Sequence, residues 1–139
     1  MKTKIILIII SSFSFFISYA TAKDLLPANI KVNKYEAIVK GRILKKKVKK
    51  ENNYYFTEYK LKPTKWLYSK PELKKQKYLT LQIFGASLPK KGIIITSSVS
   101  PQYVPINQEA LFLLEKTAKN EKDIFTLSKD GIILNSTTN

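Results

Sequence analysis

The residues able to do chemistry are few, and their types exclude most catalytic schemes. The chain has no histidine and no cysteine. Neither a Ser–His nor a Cys–His nucleophile pair can therefore be assembled, and the usual zinc and copper ligands are missing. Ten carboxylates remain, and acid–base catalysis would need two of them to converge. Glu36 and Glu58 lie on the polar faces of neighbouring strand candidates and could approach each other. Each is flanked by lysines, so a solvated ion pair is the stronger reading. Ser87-Leu-Pro-Lys90 matches a Ser-Lys dyad in letters alone, inside a proline-containing loop, and no glycine-rich phosphate loop occurs. The expectation is a protein that is not an enzyme and uses no metal or cofactor.

Binding is better provided for. Lys40 and Arg42 on one strand candidate would stand beside Tyr54, Phe56, Lys60 and Lys62 on the next. Aromatic rings interleaved with cations suit a single nucleic-acid strand or an acidic glycan. The competing reading makes Tyr54 and Phe56 packing residues, with the lysines keeping a sheet edge soluble. Trp66 reads as a core plug rather than a ligand platform.

These side chains need strands to position them. From Tyr35 the period is two: Tyr35, Ala37, Val39 and Ile43 share one face, while Glu36, Lys40 and Arg42 share the other. Gly41 in mid-strand predicts a β-bulge or sharp bend, and Leu44 and Val48 suggest that the apolar face then switches sides. Lys45, Lys46, Lys47, Lys49 and Lys50 make a protruding basic ribbon, and Glu51-Asn52-Asn53 reads as its hairpin turn because Asn tolerates positive φ. Residues 54–62 alternate as the return strand. Pro63 is expected to close regular pairing, with Trp66 and Leu67 at the edge. One helical turn fits residues 72–75, and another fits Leu25 and Leu26. A third strand covers residues 78–84. Residues 93–96 are all apolar or β-branched and predict a buried strand or a hidden edge. Residues 110–115 predict a buried strand. Residues 123–127 and 132–134 predict two short strands split by the Lys129-Asp130-Gly131 turn, before a frayed tail from residue 135.

Compartment and charge set the outer bounds. Lys2 and Lys4 precede an apolar run interrupted by Ser11, Ser12 and Ser14, and Ala20-Thr21-Ala22 offers small residues at −3 and −1. Residues 1–22 are the pattern of a cleaved secretory signal peptide. That run is shorter than a membrane span needs, so no transmembrane segment is expected after cleavage. Removing 22 of 139 residues leaves 117, one domain over residues 23–139, expected to be a monomer held by packing alone. Removing Lys2 and Lys4 leaves 23 basic against 10 acidic residues, a net of +13. All of the excess falls within residues 31–91. Such a field draws anions, although only one basic residue, Arg42, has the planar fork that bidentate anion sites favour.

The order Ala37-Ile-Val-Lys-Gly-Arg-Ile, Tyr59-Lys-Leu-Lys, residues 79–84 followed by Gly85, Glu109-Ala-Leu-Phe-Leu-Leu-Glu-Lys116 and Gly131-Ile-Ile resembles the netrin-like OB barrel of the tissue inhibitors of metalloproteinases. It resembles uncharacterised bacterial secreted proteins with that layout more closely still. The resemblance covers residues 34–134 and implies a fold. The inhibitors chelate a protease zinc through a mature N-terminal cysteine, and this chain has none, so that mechanism does not carry over. The expected fold is all-β: a small five- to seven-stranded, OB-like antiparallel barrel with at most one short helix. OB barrels commonly bind on the face of strands two and three. The expected function is that of a periplasmic or extracellular, strongly basic module that docks a protein partner. The alternatives are an electrostatic binder of polyanions (acidic glycan, surface polysaccharide or nucleic acid) and a structural envelope protein without a ligand.

Overall fold

A two-residue turn sets the architecture. In the computed structural model, which describes residues 26, 29–119, 121 and 123–134, Asn52 and Asn53 both adopt positive φ, 48° and 69°. That left-handed pair matches the twist of a β-hairpin. It joins the two longest strands, β1 (Ala37–Glu51) and β2 (Tyr54–Ser69). The expected turn is there. The segment expected to be a signal peptide, the helical turn expected over Leu25 and Leu26 and the tail expected to fray fall on or beside positions outside the described residues.

The remaining strands are β3 (Leu79–Phe84), β4 (Ala86–Leu88), β5 (Ile93–Ile95), β6 (Glu109–Lys116), β7 (Ile124–Thr126) and β8 (Ile132–Leu134). Within the unit Val32–Asn139, β1, β2, β3, β7 and β6 form a ring that closes where β6 pairs back onto β1. β8 adds to β6 on the edge away from β1, and β4 with β5 makes a separate two-stranded ribbon. Closure removes the free edges that an open five-stranded sheet would expose. The fold is all-β and OB-like, as expected. Among the described residues its strand pairings are antiparallel except β3 with β7, where Thr80 and Leu81 run parallel to Ile124 and Phe125, and an isolated parallel bridge joins Ile43 to Ile106. The only helical segments among the described residues are two single-turn 3-10 ones, Val32–Lys34 before β1 and Pro89–Lys91 between β4 and β5.

Alternation builds the core. Ala37, Val39 and Ile43 from β1 meet Leu61 from β2, Leu79, Leu81 and Ile83 from β3, and Phe112 and Leu114 from β6. All lie at most 4% exposed, so β3 has a dry inner face and a more open outer one, whereas β6 and the start of β1 are buried on both faces, Ile38, Leu111 and Leu113 lying at most 2% exposed. Trp66 packs against this cluster, as a core plug would.

Gly41 sits at one of three register shifts in the β1–β2 pairing, with others between Ile38 and Val39 and between Ile43 and Lys45. The bulge reading holds, and the shift that leaves Leu44 unpaired is the expected change of side.

Three expectations need correction. β2 does not stop at Pro63 but continues to Ser69. Pro63 lies opposite Gly41, next to a register shift and beyond the last β3 partner, Leu61↔Leu79. A residue without an N–H is tolerated there, because β2 has lost its second neighbour. Residues 71–73 form a turn rather than a helix, with the Leu73 N–H donating to the Lys70 carbonyl at 3.0 Å. β5 is not buried: Ile94 is 73% exposed, since β5 pairs with β4 alone and only the flanking Ile93 and Ile95 are half-buried.

Candidate binding face

The outer face of β1, β2 and β3 is read row by row from the turn. Lys49, Phe56 and Phe84 stand in one row; Lys47, Glu58 and Gln82 in the next; Lys45, Lys60 and Thr80 in the third. Past the Leu44 bulge, Arg42 faces Lys62, and past the next shift Lys40 faces Lys65. Adjacent rows are two residues apart, about 6.6–6.8 Å along a strand.

The six residues singled out from sequence all lie on this face or at its tip, in two separate groups. Lys40 and Arg42 share one carboxylate from β6: Lys40 Nζ lies 3.0 Å from Glu109 Oε1, and Arg42 Nη2 lies 3.8 Å from Glu109 Oε2. Lys62 stands opposite Arg42, while Lys60 places its ammonium 4.2 Å from the Tyr78 ring centre. Tyr54 and Phe56 lie toward the turn, gathered on Phe84 with centroids 6.2 and 5.7 Å away. Phe56 meets Phe84 edge-on, a favoured aromatic geometry. The rings therefore form a tip cluster. They do not alternate with the cations along the whole face.

Sequence reading missed five contributors. The sequence places Lys45 and Lys47 on the basic ribbon but not in the candidate site. Counting pairs outward from Asn52-Asn53 puts Lys45 against Lys60 and Lys47 against Glu58, so the turn itself held the signal. Phe84, the last residue of β3, and Tyr78, which immediately precedes it, are partly exposed, and the place of Phe84 follows from the β2–β3 register. Nothing local in the chain announces Glu109.

The electrostatics of the face are lopsided. Glu58 accepts from Lys49 at 2.9 Å, and that hydrogen bond holds the Lys49 ammonium above its ordinary pKa. Among the described residues, Lys45, Lys46, Lys47, Lys60, Lys62 and Lys65 have no carboxylate within ion-pair distance. A cleft of about 470 Å³ opens over the third row, lined by Lys45, Lys46, Lys47, Lys60, Tyr78 and Thr80, with Glu58 and Tyr59 completing the wall.

Glu36 and Glu58 do not meet. Glu36 is buried beside the start of β1 and accepts from Lys70 Nζ at 2.7 Å, whereas Glu58 lies near the turn. Ser87 is exposed on β4 and Lys90 is exposed in the following 3-10 turn. A second cavity, about 550 Å³, gathers Glu36, Glu72, Glu121 and Asp123 with Lys74 and Lys116. Among the described residues, no group of three or more His, Cys, Asp or Glu stands placed to hold a metal ion. No described helix is long and apolar enough to cross a membrane. No protein-family model, curated protein or solved structure matches the chain, so the role of the face has to be argued from its own residues.

Proposed function

We propose that the chain is an exported, non-enzymatic OB-like module, netrin-like in layout, whose β1–β2–β3 face binds an anionic polymer. One observation carries the reading: Lys40 faces Lys65, Arg42 faces Lys62, and Lys45 faces Lys60 directly across the β1–β2 ladder. Like charges directly opposite one another destabilise a sheet. Glu109 is the one carboxylate paired with these six cations among the described residues. A surface so arranged is relieved by counter-charge from outside the chain. The non-enzymatic part is supported by the lack of histidine and cysteine and by the separation of Glu36 from Glu58. Export is supported by the pattern of residues 1–22.

A protein partner is the second reading, and the tip cluster favours it. Tyr54 is 59% and Phe84 37% exposed beside Lys49, and exposed aromatics anchor protein interfaces. Salt separates the two. Binding of the purified exported protein to heparin should weaken with a log–log salt slope of about −4 or steeper if six or more ion contacts form. A captured protein partner retained at high salt and released by Tyr54→Ala would replace this reading with the second. Absence of polyanion binding at low salt would remove it.

A further inference from the structure

Resting on the polyanion reading, we infer that the polymer is an acidic polysaccharide rather than a nucleic acid, seated in the cleft between Lys45, Lys47, Lys60 and Tyr78. The cleft supplies charge in quantity. Lys45 and Lys60 face each other across its floor, Lys47 stands one row away, and each is exposed without an ionic partner among the described residues. Lysine ammoniums attract anionic groups as point charges and impose no planar geometry, which suits a polymer whose sulfates or carboxylates vary in position.

Nucleobase recognition needs the opposite: open ring faces on which successive bases stack. The face does not offer a run of them. Two ammonium groups already stand over the Tyr78 ring, Lys60 at 4.2 Å and Lys77 at 5.5 Å from its centre. Phe56 and Phe84 are set edge to face, their planes 86° apart, and Phe56 is only part-exposed. Tyr54 is the most open ring of this face, at the far end of the hairpin. A strand laid along the lysine rows would find charge at each step and a stacking platform only at the tip. Thr80 and Tyr78 add hydroxyls at the cleft wall, partners for a sugar's own hydroxyl groups.

The test measures affinity of the purified exported protein for heparin and for oligo(dT) of matched charge, at about 150 mM salt, where surface charges are screened beyond about 8 Å. Three proteins are compared: wild type, the triple variant Lys45→Gln, Lys47→Gln, Lys60→Gln, and a charge-matched control, Lys90→Gln, Lys91→Gln, Lys129→Gln. The expected result is tighter binding of heparin than of oligo(dT). The cleft variant should lose about tenfold or more in heparin affinity, and the control less than about threefold. Equal losses in both variants would show that net charge acts without the cleft. Oligo(dT) bound as tightly as heparin, and weakened by Tyr54→Ala, would make the ligand a nucleic acid. If neither polymer binds at low salt, the polyanion reading itself fails, an outcome distinct from the other two. Folding is checked by the melting temperature, which the cleft variant should hold or raise because it removes a like-charge pair.

Discussion

Gly41 and Pro63 stand opposite each other across the β1–β2 ladder, and the gap between the two chains there has no room for a side chain. A β-carbon on Gly41 would collide with the Lys62 carbonyl oxygen and come within 3.0 Å of the Pro63 Cα. Backbone, rather than a flexible side-chain end, is in the way, so the strands would have to part. Gly41→Ala should cost about 1–3 kcal/mol and Gly41→Val more, read as a fall in the urea midpoint with unchanged slope. Wild-type stability in both would mean that the bulge can open freely.

The turn makes a second prediction. Asn52 and Asn53 hold left-handed backbone, a region that costs an ordinary side chain about 1–2 kcal/mol. Asn53→Gly should leave stability unchanged or raise it by a few tenths of a kcal/mol, whereas Asn53→Val should lower it by about 1–2 kcal/mol. Thermal melts of the two variants decide between this turn and a different one.

Salt should stabilise the folded protein. The like-charge pairs Lys40/Lys65, Arg42/Lys62 and Lys45/Lys60 repel across about one strand spacing, well inside the Debye length at low ionic strength. Raising sodium chloride from about 10 to 300 mM should therefore raise the melting temperature. A fall over that range would show that attractive pairs such as Lys49–Glu58 outweigh the repulsion.

Alkaline pH should weaken it. The Glu36 carboxylate hydrogen-bonds the Lys70 ammonium and raises its pKa above 10.5, and Glu58 does the same for Lys49. The folded state then keeps protons that the unfolded chain has released, so stability is full below pH 10.5 and declines as pH rises through the folded values. Tyr59 acts in the same direction: burial raises its pKa above 10.0, so the folded state resists its ionisation. The melting temperature should be flat from about pH 7 to 9 and fall above about 10. Lys70→Gln should shrink that fall. An equal fall in the variant would assign the effect to other groups.

Much of the barrel was legible because burial is one-sided on β3 and complete on β6. Leu79, Leu81 and Ile83 announced β3 by strict alternation, and Asn52-Asn53 announced the hairpin by its tolerance of positive φ. The errors fall where local chemistry was overruled by distant partners. Pro63 looked like a strand end because its tolerance depends on β3 having stopped at Leu79. The run Ile93–Ile95 looked buried because nothing local shows that β4 would be its lone neighbour. The cationic half of the face was visible as composition. Its rows were hidden in the register shift at Leu44, and its carboxylate partner, Glu109, comes from a strand more than sixty residues further along the chain.

The β6 latch on β1 also dictates an order of events. Ala37 pairs with Leu114, so the ring cannot shut until most of the chain is available, while the β1–β2 hairpin needs only its two-residue turn. Contacts so far apart in sequence carry a large loop-closure cost and make all-β domains slow folders. During that interval the hairpin stands alone with half of its inner face, Ala37, Val39, Ile43 and Leu61, uncovered. The lysine rows on its other side then act as gatekeepers, since mutual repulsion keeps two such hairpins from pairing before β6 arrives. The same charges that would draw a ligand to the finished barrel protect the unfinished one from its own copies.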